Sequence, residues 1–324
     1  MDIILPVAGL GSRLRPQTWN KPKPLVSLAG KPILEHVIDR VMPLRPNRLV
    51  FITGYLGDQI EEWATRRYDM PLAFVEQPVM RGQSDAILKT REIVTGDALI
   101  LFPDMLFETD WSVIGETDAD AVMFTKEVED PSALGVAVVE EGRITRLVEK
   151  PREPISNLAV IGIYYVREMP RLFAAMDEQL RRRIALKNEY FIADALQIMI
   201  DEGAKVVAAP VTEWEDCGTV ETLIASNRWA LDRMAPQNRQ RPGSIVVEPS
   251  VIAEDAIVER AIIGPYASIA SGAVVRDAIV RDAILESNAN VAGALVERSV
   301  IGRRAKVRGQ ANSLNIGDDG AVEL

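Results

Sequence analysis

Residues 8–32 read AGLGSRLRPQTWNKPKPLVSLAGKP. They follow the apolar run Ile3-Ile4-Leu5-Pro6-Val7, which reads as a short buried strand, and they precede a helical pattern that opens at Pro32. The order is strand, glycine loop, helix. Gly9 and Gly11 lack a Cβ, so the loop can take positive φ and bring its backbone N–H groups up to an anion. No Asp or Glu lies between Ile3 and Leu34, whereas Arg13, Arg15, Lys21, Lys23 and Lys31 all do, in a chain whose net charge is −10. A basic segment kept within an acidic protein predicts a polyanion site, with phosphate as the guest.

Two familiar phosphate loops do not fit. A dinucleotide fingerprint would need a third glycine where Leu14 stands, and Pro16 would interrupt the helix that should begin there. A Walker loop needs Gly-x4-Gly-Lys-Ser/Thr, which is absent. The glycine pair alone would be satisfied by an ordinary solvated turn, so residues further along must decide.

At 324 residues, with 48% hydrophobic and 26% charged, the chain has the composition of a globular protein of two domains. Its amino terminus, an acidic Asp2 and a short apolar run, reads neither as a signal peptide nor as a membrane span, and a cytoplasmic protein is expected. The single cysteine, Cys217, excludes an internal disulfide framework, and the single histidine, His36, leaves no Cys/His zinc site. Any metal must then rest on oxygen ligands. A pI near 4.9 with no broad basic surface argues against nucleic acid as a partner.

Up to about residue 165, buried-strand patterns at 2–7, 48–53, 72–75, 98–102 and 120–125 alternate with helical patterns at 32–44, 57–68 and 84–95. This alternation predicts an α/β fold: a mostly parallel, Rossmann-like sheet with helices on both faces and ligands at the carboxyl ends of its strands. His36, beside Ile33, Leu34 and Val37, reads as a packed histidine. A helical pattern at 219–234 ends this first domain, taken as residues 1–235, and a polar, proline-bounded linker covers 236–243. Residues 244–324 then change character. Val246, Ile252, Val258, Ile263, Ile269, Val275, Val280, Leu285, Val291, Val296, Ile301 and Val307 recur at steps of about six or five, the hexapeptide pattern of a parallel β-helix with one aliphatic pointing inward per strand.

The elements GLGSRLRP, NKPKPL and GKP within residues 9–32 resemble the signature of the sugar nucleotidyltransferases. The resemblance runs over most of the chain and implies the roles that follow. Arg13 and Lys23 would be the catalytic cations, and Ala8, Gly9, Gly11 and Ser12 would hold the nucleotide. In Glu76-Gln77-Pro78-Val79-Met80-Arg81-Gly82, Gln77 would read the base edge while Gly82 lets the base lie on backbone; a carboxamide both donates and accepts, which suits thymine or uracil. Asp104, after the strand ending Leu101-Phe102, and Asp216, in Trp214-Glu215-Asp216-Cys217-Gly218-Thr219, would bind Mg²⁺, which takes one or two carboxylates plus phosphate oxygens and water. Cys217 reads as a packing residue. The sugar phosphate would meet Gly135, Glu149 and Lys150 of Val148-Glu149-Lys150-Pro151, Gly162, and Lys187, where the family carries an arginine. The hexapeptide region resembles a left-handed β-helix of about four coils whose job is homo-oligomerisation.

The implied reaction joins a nucleoside triphosphate to a sugar 1-phosphate and releases pyrophosphate, with dTTP and glucose 1-phosphate as the leading pair and UTP or GTP as alternatives. A sugar phosphate oxygen is already anionic at neutral pH, so a site with cations and no histidine base suits this chemistry. A rival class is a non-catalytic sugar-nucleotide-binding subunit, although such proteins tend to lose the cations or metal acids that are present here. An acyltransferase in the β-helix resembles its relatives poorly, since these use a histidine base and residues 244–324 contain none.

Overall fold

The structure is a computed structural model that describes residues 1–151, 153, 155–237 and 241–309. Residues 238–240 of the expected linker and 310–324 of the expected β-helix lie outside the described residues. By contacts the chain divides into one unit of Met1–Val26 and Lys31–Leu223 and a second of Ser27–Gly30 and Ile224–Leu324.

The first unit is built on a ten-stranded sheet. Its strands are β1 (Asp2–Pro6), β2 (Arg48–Thr53), β3 (Leu72–Glu76), β4 (Ala98–Leu101), β5 (Met105–Thr109), β6 (Ala121–Glu127), β7 (Gly135–Glu140), β8 (Arg143–Glu149), β9 (Leu158–Val166) and β10 (Val206–Asp216). The spatial order is β3-β2-β1-β4-β9-β6-β10-β5, with β7 on β9 and β8 on β7. The four strands β3, β2, β1 and β4 are mutually parallel, and β6 and β10 are parallel to each other. Buried on both faces, β1 and β4 are runs of aliphatics rather than alternating sequences, as the reading of Ile3 to Leu5 anticipates. The antiparallel β9 joins the two parallel groups, pairing with β4 on one side and β6 on the other.

Helices α1 (Ile33–Val41) and α2 (Gly57–Arg67) cover one face through Leu34, Val37, Ile38, Ile60 and Ala64. The short α4 (Ser112–Glu116) packs Val113 and Ile114 against that same face. On the other face lie α3 (Gln83–Leu88), α5 (Met169–Arg182) and α6 (Ile192–Asp201), which bury Ala86, Leu172, Met176, Ile192 and Leu196. His36 is buried on α1, as expected of a packed histidine. Helix α7 (Val220–Asp232) follows β10, and the division between the units falls within it. Among the described residues no helix is long and apolar enough to cross a membrane.

The second unit carries short strands in parallel ladders, the β-helix that the hexapeptide spacing predicts. Three faces alternate along the chain. Ile245–Val246, Ile262–Ile263 and the starts of Ile279–Leu285 and Leu295–Ile301 stack as the first. Val251–Ile252, Ala267–Ile269 and the ends of the same two long strands form the second. The third is Ile257–Glu259, Val274–Arg276, Asn290–Ala292 and Lys306–Arg308. The predicted inward aliphatics from Val246 to Val307 all lie in the interior cluster or pack against it, joined by alanines such as Ala267, Ala273 and Ala289.

The second face has a cover from its own unit. Val251 and Ile284, buried yet not part of the interior cluster, point outward, and Val251 packs within 3.0 Å of the position a Cβ of Gly30 would take. Asn227 of α7 accepts from the Ala29 N–H at 2.9 Å and from the Ser268 hydroxyl at 2.6 Å. Glu286, only 2% exposed, accepts from the Ser27 N–H at 2.8 Å and the Ser27 hydroxyl at 3.0 Å. A carboxylate so deeply buried is tolerable only with such donors.

Candidate active site

In the first unit the carboxyl ends of β1, β3 and β4 open onto a cleft of about 250 Å³. Ala8, Gly9 and Gly11 line it after β1, Gln77 and Gly82 after β3, and Asp104 after β4, with Lys23 between them. Parallel strands point their last backbone groups and the following loops at one edge, so residues far apart in sequence converge there.

Gly11 sits at φ 60°, and a Cβ on it would stand 2.9 Å from Lys23 Cβ, so only glycine lets the loop lie against the lysine. Thr18 fastens the turn by donating its hydroxyl to Gly11 O at 2.8 Å. Pro22 and Pro24 flank Lys23, which opens a short 3₁₀ turn and therefore holds a backbone with little freedom. Its side chain is 12% exposed, and Nζ lies 3.3 Å from Asp104 Oδ2. A largely desolvated ammonium at the cleft wall is a strong electrostatic anchor for phosphate.

Gln77 is buried, and its Nε2 donates to Gly82 O at 3.1 Å and to Asp85 Oδ2 at 3.2 Å. Both partners only accept, so the amide nitrogen must face them, and Oε1 is the group those bonds leave for a ligand. Asp85 is itself 2% exposed and takes Arg81 Nη2 at 2.5 Å. At Gly82, φ is 104° and a Cβ would fall 2.4 Å from Tyr190 N. The missing side chain thus makes room for the Tyr190 backbone as well as shaping the cleft.

Asp216 reaches this region through strand pairing. In the antiparallel β10–β5 ladder Asp216 stands opposite Met105, and Cys217 donates its N–H to Asp104 O at 2.9 Å. Asp216 Oδ2 accepts from Gly218 N and from the Thr222 hydroxyl, each at 2.9 Å. A Cβ on Gly218 would stand 2.8 Å from Asp216 Oδ2 and 2.9 Å from Arg13 Nη2, so the guanidinium and this carboxylate converge over Gly218. Arg13 and Ser12 share an exposed 3₁₀ turn and do not line the cleft. Cys217 is fully buried, the packing position its neighbours suggest.

A second cluster gathers at the end of β8. Glu149 pairs with Gly135 across the β7–β8 hairpin, and a Cβ at Gly135 would be 2.8 Å from Glu149 Oε2. Lys150 Nζ lies 3.7 Å from Glu149 Oε1 and 4.9 Å from the centre of the Phe191 ring. Burial raises the Glu149 pKa, Lys150 opposes the shift, and Asp194 and Glu189 add to it. Asp194 is also raised by burial, against a hydrogen bond from Gln179. Tyr164, fully buried, is raised by burial and then by the charges of Glu149 and Asp104, which places its hydroxyl within the field of both groups.

Two expected residues sit differently. Gly162, at φ 85°, accepts the Phe102 N–H at 3.0 Å, and a Cβ would lie 3.3 Å from Phe102 Cβ, so it lets the β4–β5 turn approach β9. Lys187 is exposed in a tight turn closed by Leu186 and Glu189, and it is Glu189, two residues on, that lines the cleft. Glu189, Asp85, Tyr164 and Asp194 were not singled out from the sequence. Asp85 carried a usable signal, a carboxylate shortly after Gln77 in a loop already marked for base reading; the others have none outside the tertiary contacts.

Residues 2–233 match the family model described as Nucleotidyl transferase. The bifunctional protein GlmU of Methanocaldococcus jannaschii is 31% identical over 261 residues, 80% of this chain and 61% of that protein. The chain therefore spans less than two thirds of this relative's length. UTP--glucose-1-phosphate uridylyltransferase AglF of Haloferax volcanii is 31% identical over 222 residues, 66% of this chain and 89% of that one. The crystal structure of a UDP-glucose pyrophosphorylase complexed with UDP-glucose superposes with a TM-score of 0.63 over 72% of this chain and 99% of that chain, at 24% identity, a likeness of fold.

Proposed function

Because the chain belongs to the nucleotidyl transferase family, we propose that it transfers a nucleoside monophosphate from a triphosphate to a sugar 1-phosphate, with dTTP and glucose 1-phosphate as the preferred pair. The observation that carries this reading is the convergence, in one cleft at the carboxyl edge of a parallel sheet, of Lys23, Asp104 and a Gln77 amide whose orientation is fixed. The N3–H of thymine or uracil offers the donor that Gln77 Oε1 lacks, whereas cytosine presents an acceptor at N3. Thymine is preferred on the resemblance of the whole layout, including the β-helix, to long thymidylyltransferases. A second reading, UTP in place of dTTP, is favoured by the activity in the name of the Haloferax relative.

The sugar phosphate oxygen attacks the α-phosphorus in line with the departing pyrophosphate, and no proton has to be removed first. Lys23 draws charge from the α-phosphoryl oxygens, Arg13 takes the β- and γ-phosphates, and Lys150 anchors the acceptor phosphate, with Lys187 as a second cation at the rim. Glu149 accepts from sugar hydroxyls. Holding two polyanions in register supplies much of the rate, because each would otherwise repel the other.

Asp104 and Asp216 suit a hard divalent cation such as Mg²⁺. Their donors are carboxylate oxygens, and Asp104 is 48% exposed at the cleft. Among the described residues no cluster of three or more ligating side chains exists, so substrate oxygens and water would complete the shell. When bound, such an ion supplies positive charge to the phosphates.

The test is pyrophosphate release by the purified protein with a divalent cation, across each nucleoside triphosphate paired with glucose, galactose, mannose and N-acetylglucosamine 1-phosphates. Release should be greatest with dTTP and glucose 1-phosphate, followed by UTP. Asp85→Asn frees the Gln77 amide to turn over and should cut discrimination against CTP about tenfold, equivalent to ~1.4 kcal/mol. Silence across the grid, with tight binding of a sugar nucleotide, would replace this reading with a non-catalytic binding protein.

A further inference from the structure

Four residues after Lys23 the chain enters a tight hairpin whose tip belongs, by contacts, with the coils. Ser27–Leu28 pairs with Lys31–Pro32, and Ala29 and Gly30 between them take φ 45° and 87°, the positive values of a two-residue primed turn. Glu286 holds the first residue of this hairpin with both of its oxygens. Oε1 takes the Ser27 N–H at 2.8 Å, and Oε2 takes the Ser27 hydroxyl at 3.0 Å. Asn227 Oδ1 takes the Ala29 N–H at 2.9 Å. Glu286 and Asn227 are 2% and 0% exposed, so water does not compete for these bonds.

For cohesion alone a buried carboxylate adds little, since its desolvation offsets most of the gain from its hydrogen bonds. What it supplies beyond an apolar contact is direction. A single bond lets a residue swing about it, whereas two bonds to one carboxylate fix orientation as well as place.

We propose that this clamp positions Lys23, with Glu286 as a positioning residue that sets the lysine's backbone while Asp104 meets its ammonium. The link from clamp to lysine is covalent and short. Lys23 opens its 3₁₀ turn, Pro24 locks φ at the next residue, and the turn closes with the Val26 N–H donating to Lys23 O at 3.0 Å. Val26 is fully buried, and its carbonyl accepts the Ile33 N–H at 3.1 Å. Residues so constrained have little slack, and a shift at Ser27 is passed on to the Lys23 Cα. The inference rests on the reading of Lys23 as the cation at the α-phosphoryl group, where a catalytic group must be held to within about 0.5 Å.

Steady-state pyrophosphate release by the full chain, with a thermal melt on each preparation, decides it. Glu286→Ala should lower kcat about tenfold while the KM for the nucleoside triphosphate stays within about twofold of wild type. Glu286→Gln keeps an oxygen for the Ser27 N–H and should recover kcat to within about threefold of wild type. Ser27→Ala cuts one arm only, so it should cost about threefold and carries the test should Glu286→Ala unfold. In a Lys23→Ala background Glu286→Ala should lower kcat no further, because no ammonium remains to be misplaced, whereas a general destabilisation would still act there.

Wild-type kcat in folded Glu286→Ala and Ser27→Ala, or a Glu286→Ala loss that persists in full in the Lys23→Ala background, overturns the clamp's role. A wild type that releases no pyrophosphate with any substrate pair instead removes the transfer reading, and the role of the clamp with it.

Discussion

The cation loop around Lys23 and the coils from Ile245 to Arg308 are both built from short segments with little regular secondary structure of their own, yet they are specified in opposite ways. Each coil strand finds its place because the neighbouring coil carries the same pattern: Val258 stacks on Val275, and Val275 on Val291. Lys23 has no such template. Its position depends on Gly11, which lacks the Cβ that would strike it, and on Asp104, a residue far along the chain at the end of another strand. A repeat distributes its determinants so that each position is one of many, whereas a site concentrates its function in residues that the rest of the fold positions.

The sharpest break in this contrast is Lys23→Ala. Turnover should fall by about a thousandfold, the scale for losing a preorganised charge at the transition state, while the melting temperature stays near that of wild type. Pyrophosphate release and a thermal melt on the same preparation check both halves, and near-normal turnover would remove Lys23 from the chemistry.

Gly264→Ala probes the other region. A Cβ there would lie 2.0 Å from Val247 O at a φ of 93°, so the coil must distort, at a cost of about 3 kcal/mol or more. Melting should shift to lower temperature or split, with turnover of the folded fraction falling far less than in Lys23→Ala. Equal loss of activity in the two variants would show that the contrast is wrong.

The smallest effect is expected at Glu149, whose raised pKa means that the folded state holds the proton more tightly than the unfolded chain. Its stabilising contribution is fully present below the ordinary value of 4.5 and is lost as pH rises through the folded-state pKa. Glu149→Gln removes the cost of burying the charge, so it should raise stability at neutral pH by about 1 kcal/mol and bring no gain below pH 4.5. Denaturant melts of both proteins at pH 7 and pH 4 measure the difference, and sugar phosphate affinity should weaken in parallel.

Much of the fold was legible. The runs at 48–53 and 98–102 become β2 and β4, and the pattern at 57–68 becomes α2, because buried parallel strands and amphipathic helices leave strong local periodicities. The pattern at 84–95 is less faithful, since only Gln83–Leu88 is α-helical before the chain breaks into turns. The exposed aliphatics of the first coil face were also written in the sequence, as the leading members of the doublets Ile245-Val246, Ile262-Ile263, Ile279-Val280 and Leu295-Val296, although the inward member alone reveals the repeat.

What the sequence by itself determined is the kind of chemistry and the kinds of element: a basic glycine loop after a buried strand, acids at strand ends, and aliphatics stepping by six or five. Those signals are local, so they survive without knowledge of the fold. Only the tertiary structure decided which groups meet. The β10–β5 register sets Asp216 beside the Asp104 turn, Asp85 turns the Gln77 amide, and Glu189 rather than Lys187 lines the cleft. Those choices rest on strand pairing and burial between residues far apart in the chain, and the composition of a short window carries no trace of them.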